Sequence, residues 1–247
     1  MLVRQAANVI DLLEFFAKRQ RPATPAEVAD AMGWPRSSTF NLITTLVSKG
    51  YFYEPKARGG YYPSLLWRQV ANRISNAEPL PEAVERLAQE VADKTGETAC
   101  IAAPAGLSAL LIYAVESRQP IRFSPWVGER NPIHASASGR AILSQYSPSE
   151  RQALFRKVTF ERYTSKSPTG IADVEAALKM GEPRGYYLSV GEFVEDLMAI
   201  AVPLPLKGRT LAIVVAGPMS RCYEKADSIG QFMRDCAAKC VAELNRR

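Results

Sequence analysis

A chain of 247 residues, 47% hydrophobic and 23% charged, has the make-up of a folded globular protein of one or two domains, which excludes a disordered or fibrous chain. No run approaches the roughly 18 apolar residues a membrane span needs, and the N-terminus MLVRQAANVIDLLEFFAKR carries acids where a secretion signal has an apolar block, so a cytoplasmic protein without membrane contact is expected. The net charge of +6 is uneven: residues 1–75 hold ten Lys/Arg against five Asp/Glu, and residues 76–247 twenty-one against twenty, which points the N-terminal third at a negatively charged partner such as nucleic acid.

Along the chain, Val9, Leu12, Leu13, Phe16 and Ala17 give residues 3–19 the spacing of a one-sided helix. Thr24-Pro25-Ala26-Glu27 is a capping box with proline at the first helical position, and Gly33 is the left-handed cap about two turns later. Pro35 opens a third helix, on which Phe40, Ile43, Thr44 and Val47 share the core-facing side, and Gly50 stops it. Tyr51-Phe52-Tyr53 and Gly60-Tyr61-Tyr62 are β-prone segments around a basic tip, EPKAR, and so form a hairpin. A helix is expected from Leu65 to Ile74, and SNAEPLP forms a boundary. Beyond it come a helix from Pro81 to Lys94 with Val84, Leu87, Ala88 and Val91 inward, and strands at residues 97–103 and 108–115 around PAGLS. Helices at 134–146 and 171–181, strands at 197–206 and 210–216 joined by KGR, and a final helix at 224–247 complete the chain. The fold class is α+β: a winged helix-turn-helix domain over residues 1–63, a linker helix over 64–78, and a C-terminal α/β domain over 79–247.

In that reading the third helix enters the major groove of double-stranded DNA. Ser37, Asn41, Thr45 and Ser48 form its polar row, with Ser38 beside them, and asparagine pairs bidentately with adenine. Arg36, Lys49, Lys56 and Arg58 flank the row, where they neutralise phosphates and set the register. A helical module whose polar face meets water or another protein is the alternative.

In the second domain, Asn131-Pro132-Ile133-His134-Ala135-Ser136-Ala137-Ser138-Gly139-Arg140 gathers small and hydroxyl residues at a helix start. It reads equally as an anion-binding helix terminus and as an N-cap at Ser136 with Ala137 and Gly139 permitting close packing. His134 is the only histidine. An enzyme using it with Ser136 or Ser138 is the rival function, but a second catalytic histidine and a GxSxG elbow are both missing, and a histidine bonded to nearby backbone is favoured. Phe123 and Trp126 are candidates to wall a pocket, Glu192, Glu195 and Asp196 are expected on a solvated loop, and Gly217-Pro218 is read as ending a strand and making a turn. Cys100, Cys222, Cys236 and Cys240 are scattered and read as buried thiols. Neither a metal nor a nucleotide cofactor has a motif behind it.

The chain resembles the IclR family of bacterial transcriptional regulators. The resemblance rests on TPAEVADAMGWPRSSTFNLITTLVSKGYF, on PIHASASGRAIL, and on RGYYLSVGEFVEDLMAIAVPL followed by LAIVVAGPMSR, in the family's order. It implies a profilin- or GAF-like effector-binding domain, homodimers or homotetramers on promoter or operator DNA, a small-molecule effector and no catalysis. It implies effector contacts from Ala137 and Ser138 before Gly139, and from Ser189, Ala199, Val214 and Ala216. Carboxylate-sensing relatives tend to be polar at those last four positions. The apolar Ala199, Val214 and Ala216 therefore argue for a larger or aromatic organic acid, held at its acid end by the Ala137–Gly139 amides. Relatives often carry arginine or histidine where this chain has Asn41 and Leu42, and Leu42 is set to touch a thymine methyl instead.

Overall fold

The computed structural model describes residues 3–77 and 79–246. Met1 and Leu2 of the expected first domain, Glu78 of the expected boundary and Arg247 of the expected last helix lie outside the described residues. The chain divides into two compact units, Met1–Pro79 and Leu80–Arg247.

The first unit holds helices α1 (Arg4–Arg19), α2 (Pro25–Met32) and α3 (Arg36–Ser48), the short strands β1 (Phe52–Tyr53) and β2 (Tyr62–Pro63), and helix α4 (Leu66–Ala77). Its core is Leu12 and Phe16 of α1, Val28 of α2, Ile43 and Leu46 of α3, and Phe52 of β1. Phe16 meets Phe52 and Tyr62 edge-on, at 5.3 and 5.7 Å between ring centroids. The capping box forms: Glu27 N donates to Thr24 Oγ1 at 3.2 Å and Thr24 N donates to the Glu27 carboxylate at 2.8 Å. Those bonds, the Thr24 amide first and Arg19 next, hold the Glu27 carboxyl below its ordinary value. Gly33 takes the left-handed cap at φ 66°.

Two departures concern which side of a helix is buried. On α3 the buried residues are Thr39, Ile43 and Leu46, whereas Phe40 is 53% exposed and Thr44 is exposed. Thr39 is buried at little cost because its hydroxyl donates to the Pro35 carbonyl at 3.1 Å. Half-buried Leu42 and Val47 flank the buried line, so the helix is turned by about one residue from the expected phase. On α1, Ala17 is exposed and Phe15 half-buried in its place. The wing is fixed at its root by a bridge between Ala23 and Tyr61. A side chain at Gly60 would meet the Ala23 backbone at 2.5 Å. Helix α4 runs three residues past Ile74 and buries no residue, but Trp67 at its start donates to the Tyr51 carbonyl at 3.0 Å.

The second unit is built on a six-stranded antiparallel sheet in the order β5-β4-β3-β8-β7-β6. The strands are β3 (Thr98–Ala105), β4 (Ser108–Val115), β5 (Arg130–Pro132), β6 (Tyr187–Val190), β7 (Leu197–Leu206) and β8 (Arg209–Pro218). The helices are α5 (Glu82–Thr95), α6 (Ala137–Leu143), α7 (Pro148–Phe155), α8 (Ile171–Gly181), α9 (Met219–Cys222) and α10 (Ala226–Asn245). Alternation along each strand divides the core in two. Ile213 and Val215 pack with Val84, Leu87 and Val91 of α5 and with Met233 and Cys236 of α10. Ala212 and Val214 face the other way, onto Ala137, Ala141 and Ile142 of α6 and Leu178 of α8.

Helix α6 is shorter than the expected 134–146. Ser136 caps it, accepting from Gly139 N, so His134 stands in the turn before it. Strands β5 and β6 and helices α7 and α9 had no expected element. Gly217-Pro218 ends strand β8, as expected, with Met198 opposite Gly217 and Leu197 opposite Pro218. Among the described residues no helix is long and apolar enough to cross a membrane.

Candidate functional site

Two surfaces carry the chemistry, one in each unit. On α3, Arg36, Ser37, Ser38, Phe40, Asn41, Thr44, Thr45 and Ser48 are all exposed. Thr45 Oγ1 donates to the Asn41 carbonyl at 2.7 Å and Ser48 Oγ to the Thr45 carbonyl at 2.8 Å. Their hydroxyl hydrogens are thus turned inward along the helix and their lone pairs outward. Asn41 offers both a donor and an acceptor from the same face. Arg36 pairs with Asp30 at 3.4 Å, both largely in solvent, where such a pair is weak and easily exchanged for a phosphate. Lys49, Lys56 and Arg58 are exposed. Arg58 sits at φ 59° in the wing tip, where its amide donates to Glu54 at 2.7 Å and sets the loop. Leu42 is half-buried against the first unit's core and so does not stand out from the helix as expected, whereas Phe40 is exposed.

In the second unit a small cavity of about 30 Å³ lies on the α6 face of the sheet. Ala137, Ser138, Ser189, Ala199, Val214, Ala216 and Phe123 all line it. The register explains the floor: Ser189 lies opposite Ala199, Ala199 opposite Ala216, and Val214 opposite both Ala201 and Cys100. Small side chains on adjacent strands leave the space that α6 would otherwise fill. Two expected residues are elsewhere. Gly139 does not line the cavity; a side chain there would meet the Ile133 carbonyl oxygen at 2.1 Å, so this glycine is a packing requirement. Its amide already donates to Ser136 Oγ at 3.1 Å, which removes it as a ligand donor. Trp126 is 68% exposed and not on the wall. The wall also contains Cys100, Leu111, Asn131, Ser136, Phe193, Val194 and Leu197. These come from segments far apart in the chain; Asn131 and Ser136 stand in the small-residue stretch noted in the sequence and Phe193, Val194 and Leu197 in a family motif, but neither pattern assigns them to the cavity. Burial pushes the Cys100 thiol up to about 12, with Glu129 and Glu116 adding to the effect, so it faces the cavity as a neutral group.

Two ion pairs frame this site. Arg140, 3% exposed in its side chain, donates through Nη1 to Glu192 at 3.0 Å, through Nη2 to the same carboxylate, and to the Leu188 carbonyl. Glu192 therefore does not sit in solvent as expected, although Glu195 and Asp196 do; it anchors the loop whose Phe193 and Val194 reach the cavity. Arg221 donates to both oxygens of buried Glu97 at 2.6 and 2.8 Å, and to the Ile121 carbonyl at 2.8 Å, two residues before Phe123. The Glu97 carboxylate lies where a Gly217 side chain would be, 2.4 Å from it. Gly217 thus makes room for that pair.

His134 is buried, donates from Nε2 to the Glu161 carbonyl at 3.1 Å, and packs on Phe160 and Tyr163. Ser136 Oγ donates to the Pro132 carbonyl at 2.7 Å. Each group is engaged with backbone and neither activates the other.

Residues 5–54 match the IclR helix-turn-helix domain, and residues 74–242 match the bacterial transcriptional regulator IclR C-terminal domain. The chain belongs to the IclR family. It is 26% identical to the HTH-type transcriptional repressor AllR of Escherichia coli strain K12 over 235 residues, 92% of this chain and 85% of that one. Its fold matches the Thermotoga maritima IclR with a TM-score of 0.77 at 18% identity, covering 98% of each chain. It matches equally, at 0.77 and 20% identity, an IclR homologue from Microbacterium hydrocarbonoxydans complexed with 4-hydroxybenzoate, covering 98% of this chain and 100% of that one. Like the rest of its family, this IclR-type protein is a DNA-binding transcriptional regulator rather than an enzyme.

Proposed function

We propose that this regulator is a cytoplasmic homodimer or homotetramer that represses a metabolic operon until an aromatic or similarly bulky organic acid enters the cavity of the second unit. The observation carrying this reading is the wall itself. Among the described residues that line it there is no Lys, Arg, His, Asp or Glu, and most are apolar. A very small, highly polar acid would bury its oxygens without partners at roughly 1–3 kcal/mol each, whereas a ring is matched by Leu111, Phe123, Phe193 and Val214. The amides of Ala137 and Ser138 open α6, have no carbonyl a turn earlier to bond, and are the donors left for an acid group. That a structural neighbour holds 4-hydroxybenzoate supports the same class.

DNA contact is assigned to Arg36, Ser37, Ser38, Asn41, Thr45, Lys49, Lys56 and Arg58, with Phe40 added as an apolar contact for a thymine methyl. Fluorescence anisotropy on the gene's own upstream duplex against a scrambled one tests the reading. A preference of about a thousandfold is expected, and titrated 4-hydroxybenzoate or benzoate should release the specific duplex. Tight binding of pyruvate or glyoxylate with none of the aromatic acids would overturn the effector class.

A further inference from the structure

Asn131 stands on the edge strand β5, opposite Ala109 of β4, and its side chain lines the cavity beside Leu111 and Cys100. It is 9% exposed, and its Oδ1 has no hydrogen-bond partner. A buried carbonyl left unpaired is costly, while a leucine of similar size at the same place would be nearly neutral or stabilising. The serine hydroxyls around the cavity are spent. Ser136 Oγ donates to the Pro132 carbonyl, Ser138 Oγ donates to Ser136 Oγ at 3.2 Å, and Ser189 Oγ donates to the Ala135 carbonyl at 3.2 Å. With those hydroxyl hydrogens committed, Ser138 and Ser189 keep only lone pairs, Ser136 keeps none because it also accepts from Gly139 N and Ser138 Oγ, and Asn131 Oδ1, closed off from solvent, is an acceptor without a donor. Away from the Ala137 and Ser138 amides the polar groups left over are acceptors, and a guest that donates satisfies them.

We propose that Asn131 is a specificity-determining residue for the effector: its Oδ1 accepts a hydrogen bond from a neutral hydroxyl on a ligand whose ring fills the apolar part of the cavity. The inference rests on the cavity being the effector site, and it narrows the ligand from an aromatic acid to a hydroxylated one. An anionic oxygen at the same place would face lone pairs and be rejected, as would an ether oxygen.

Isothermal titration of the full-length protein with 4-hydroxybenzoate, benzoate and 4-methoxybenzoate tests this. The wild type should bind 4-hydroxybenzoate about tenfold or more tighter than either analogue, because only the hydroxyl pairs the buried acceptor. Asn131→Leu should erase that preference by weakening 4-hydroxybenzoate while leaving benzoate unchanged or tighter. Its ligand-free Tm should rise by about 2–4 °C, since it replaces an unpaired polar group. Benzoate binding with no gain from the hydroxyl overturns the inference and leaves the aromatic-effector reading standing, as does an Asn131→Leu protein that loses both ligands equally. Binding of none of the three overturns both. If Asn131→Leu does not fold, Asn131→Ala serves for the same comparison; failure of both to fold makes the amide a structural requirement and overturns the assignment.

Discussion

Helix α3 begins Arg36-Ser37-Ser38-Thr39 and helix α6 begins Ala137-Ser138-Gly139-Arg140, so both open on small hydroxyl residues near an arginine. In α3 only Thr39, Ile43 and Leu46 are buried, whereas all seven residues of α6 are. Arg36 keeps a loose partner in solvent, and Arg140 is held on two sides by Glu192 and a carbonyl. The same residue types thus stand in solvent in one unit and build an internal frame in the other. Burial, and not composition, decides which. It also decides the size of every expected mutational effect, because a buried charge without its partner has no water to turn to.

The largest effect is expected from Glu192→Ala, which leaves the Arg140 guanidinium buried and unpaired. A loss of about 3–5 kcal/mol in urea unfolding of the full chain is expected, and a loss below 1 kcal/mol would mean that water reaches Arg140 readily. Next comes Gly139→Ala, whose added methyl meets the Ile133 carbonyl. Overpacking of this kind costs about 1–3 kcal/mol, and the DNA affinity of the remaining folded protein should be unchanged without effector. On α3 the stability effects should be negligible and the binding effects specific. Asn41→Ala should lose about 1–3 kcal/mol of discrimination at one base pair, read by competition between operator variants. Lys56→Ala should produce the smallest change, weakening all duplexes alike and reducing the salt slope by about one. Equal loss on operator and scrambled DNA from Asn41→Ala would move the reading surface off this face.

Much of the frame was legible because it is punctuated. The Thr24 capping box, the Gly33 cap, the limits of α8 and those of β7 stand where proline, glycine and periodicity put them. Helix α7 carries the same kind of signal, a Ser147-Pro148-Ser149-Glu150 box that forms with Ser147 as the cap, and the rule applied at Thr24 would have found it. Strands β5 and β6 are three and four residues long, too short for alternation to register. The phase of α3 was misjudged because a threonine that bonds its own helix can be buried while a phenylalanine remains outside. The cavity floor was reached through the family resemblance. Asn131, Phe193 and Val194 were not, since only the folded sheet brings those segments to one place.

The floor of the cavity rests on alanines and a serine in register across β6, β7 and β8, strands bonded to their neighbours along their length. Depth is therefore set by side-chain size alone, on a scaffold whose hydrogen bonds do not depend on it. Ala199→Val or Ala216→Ser would resize or repolarise the chamber one methyl or hydroxyl at a time, with the frame left intact. A cavity built this way can change the size and polarity of the guest it admits by single-nucleotide steps.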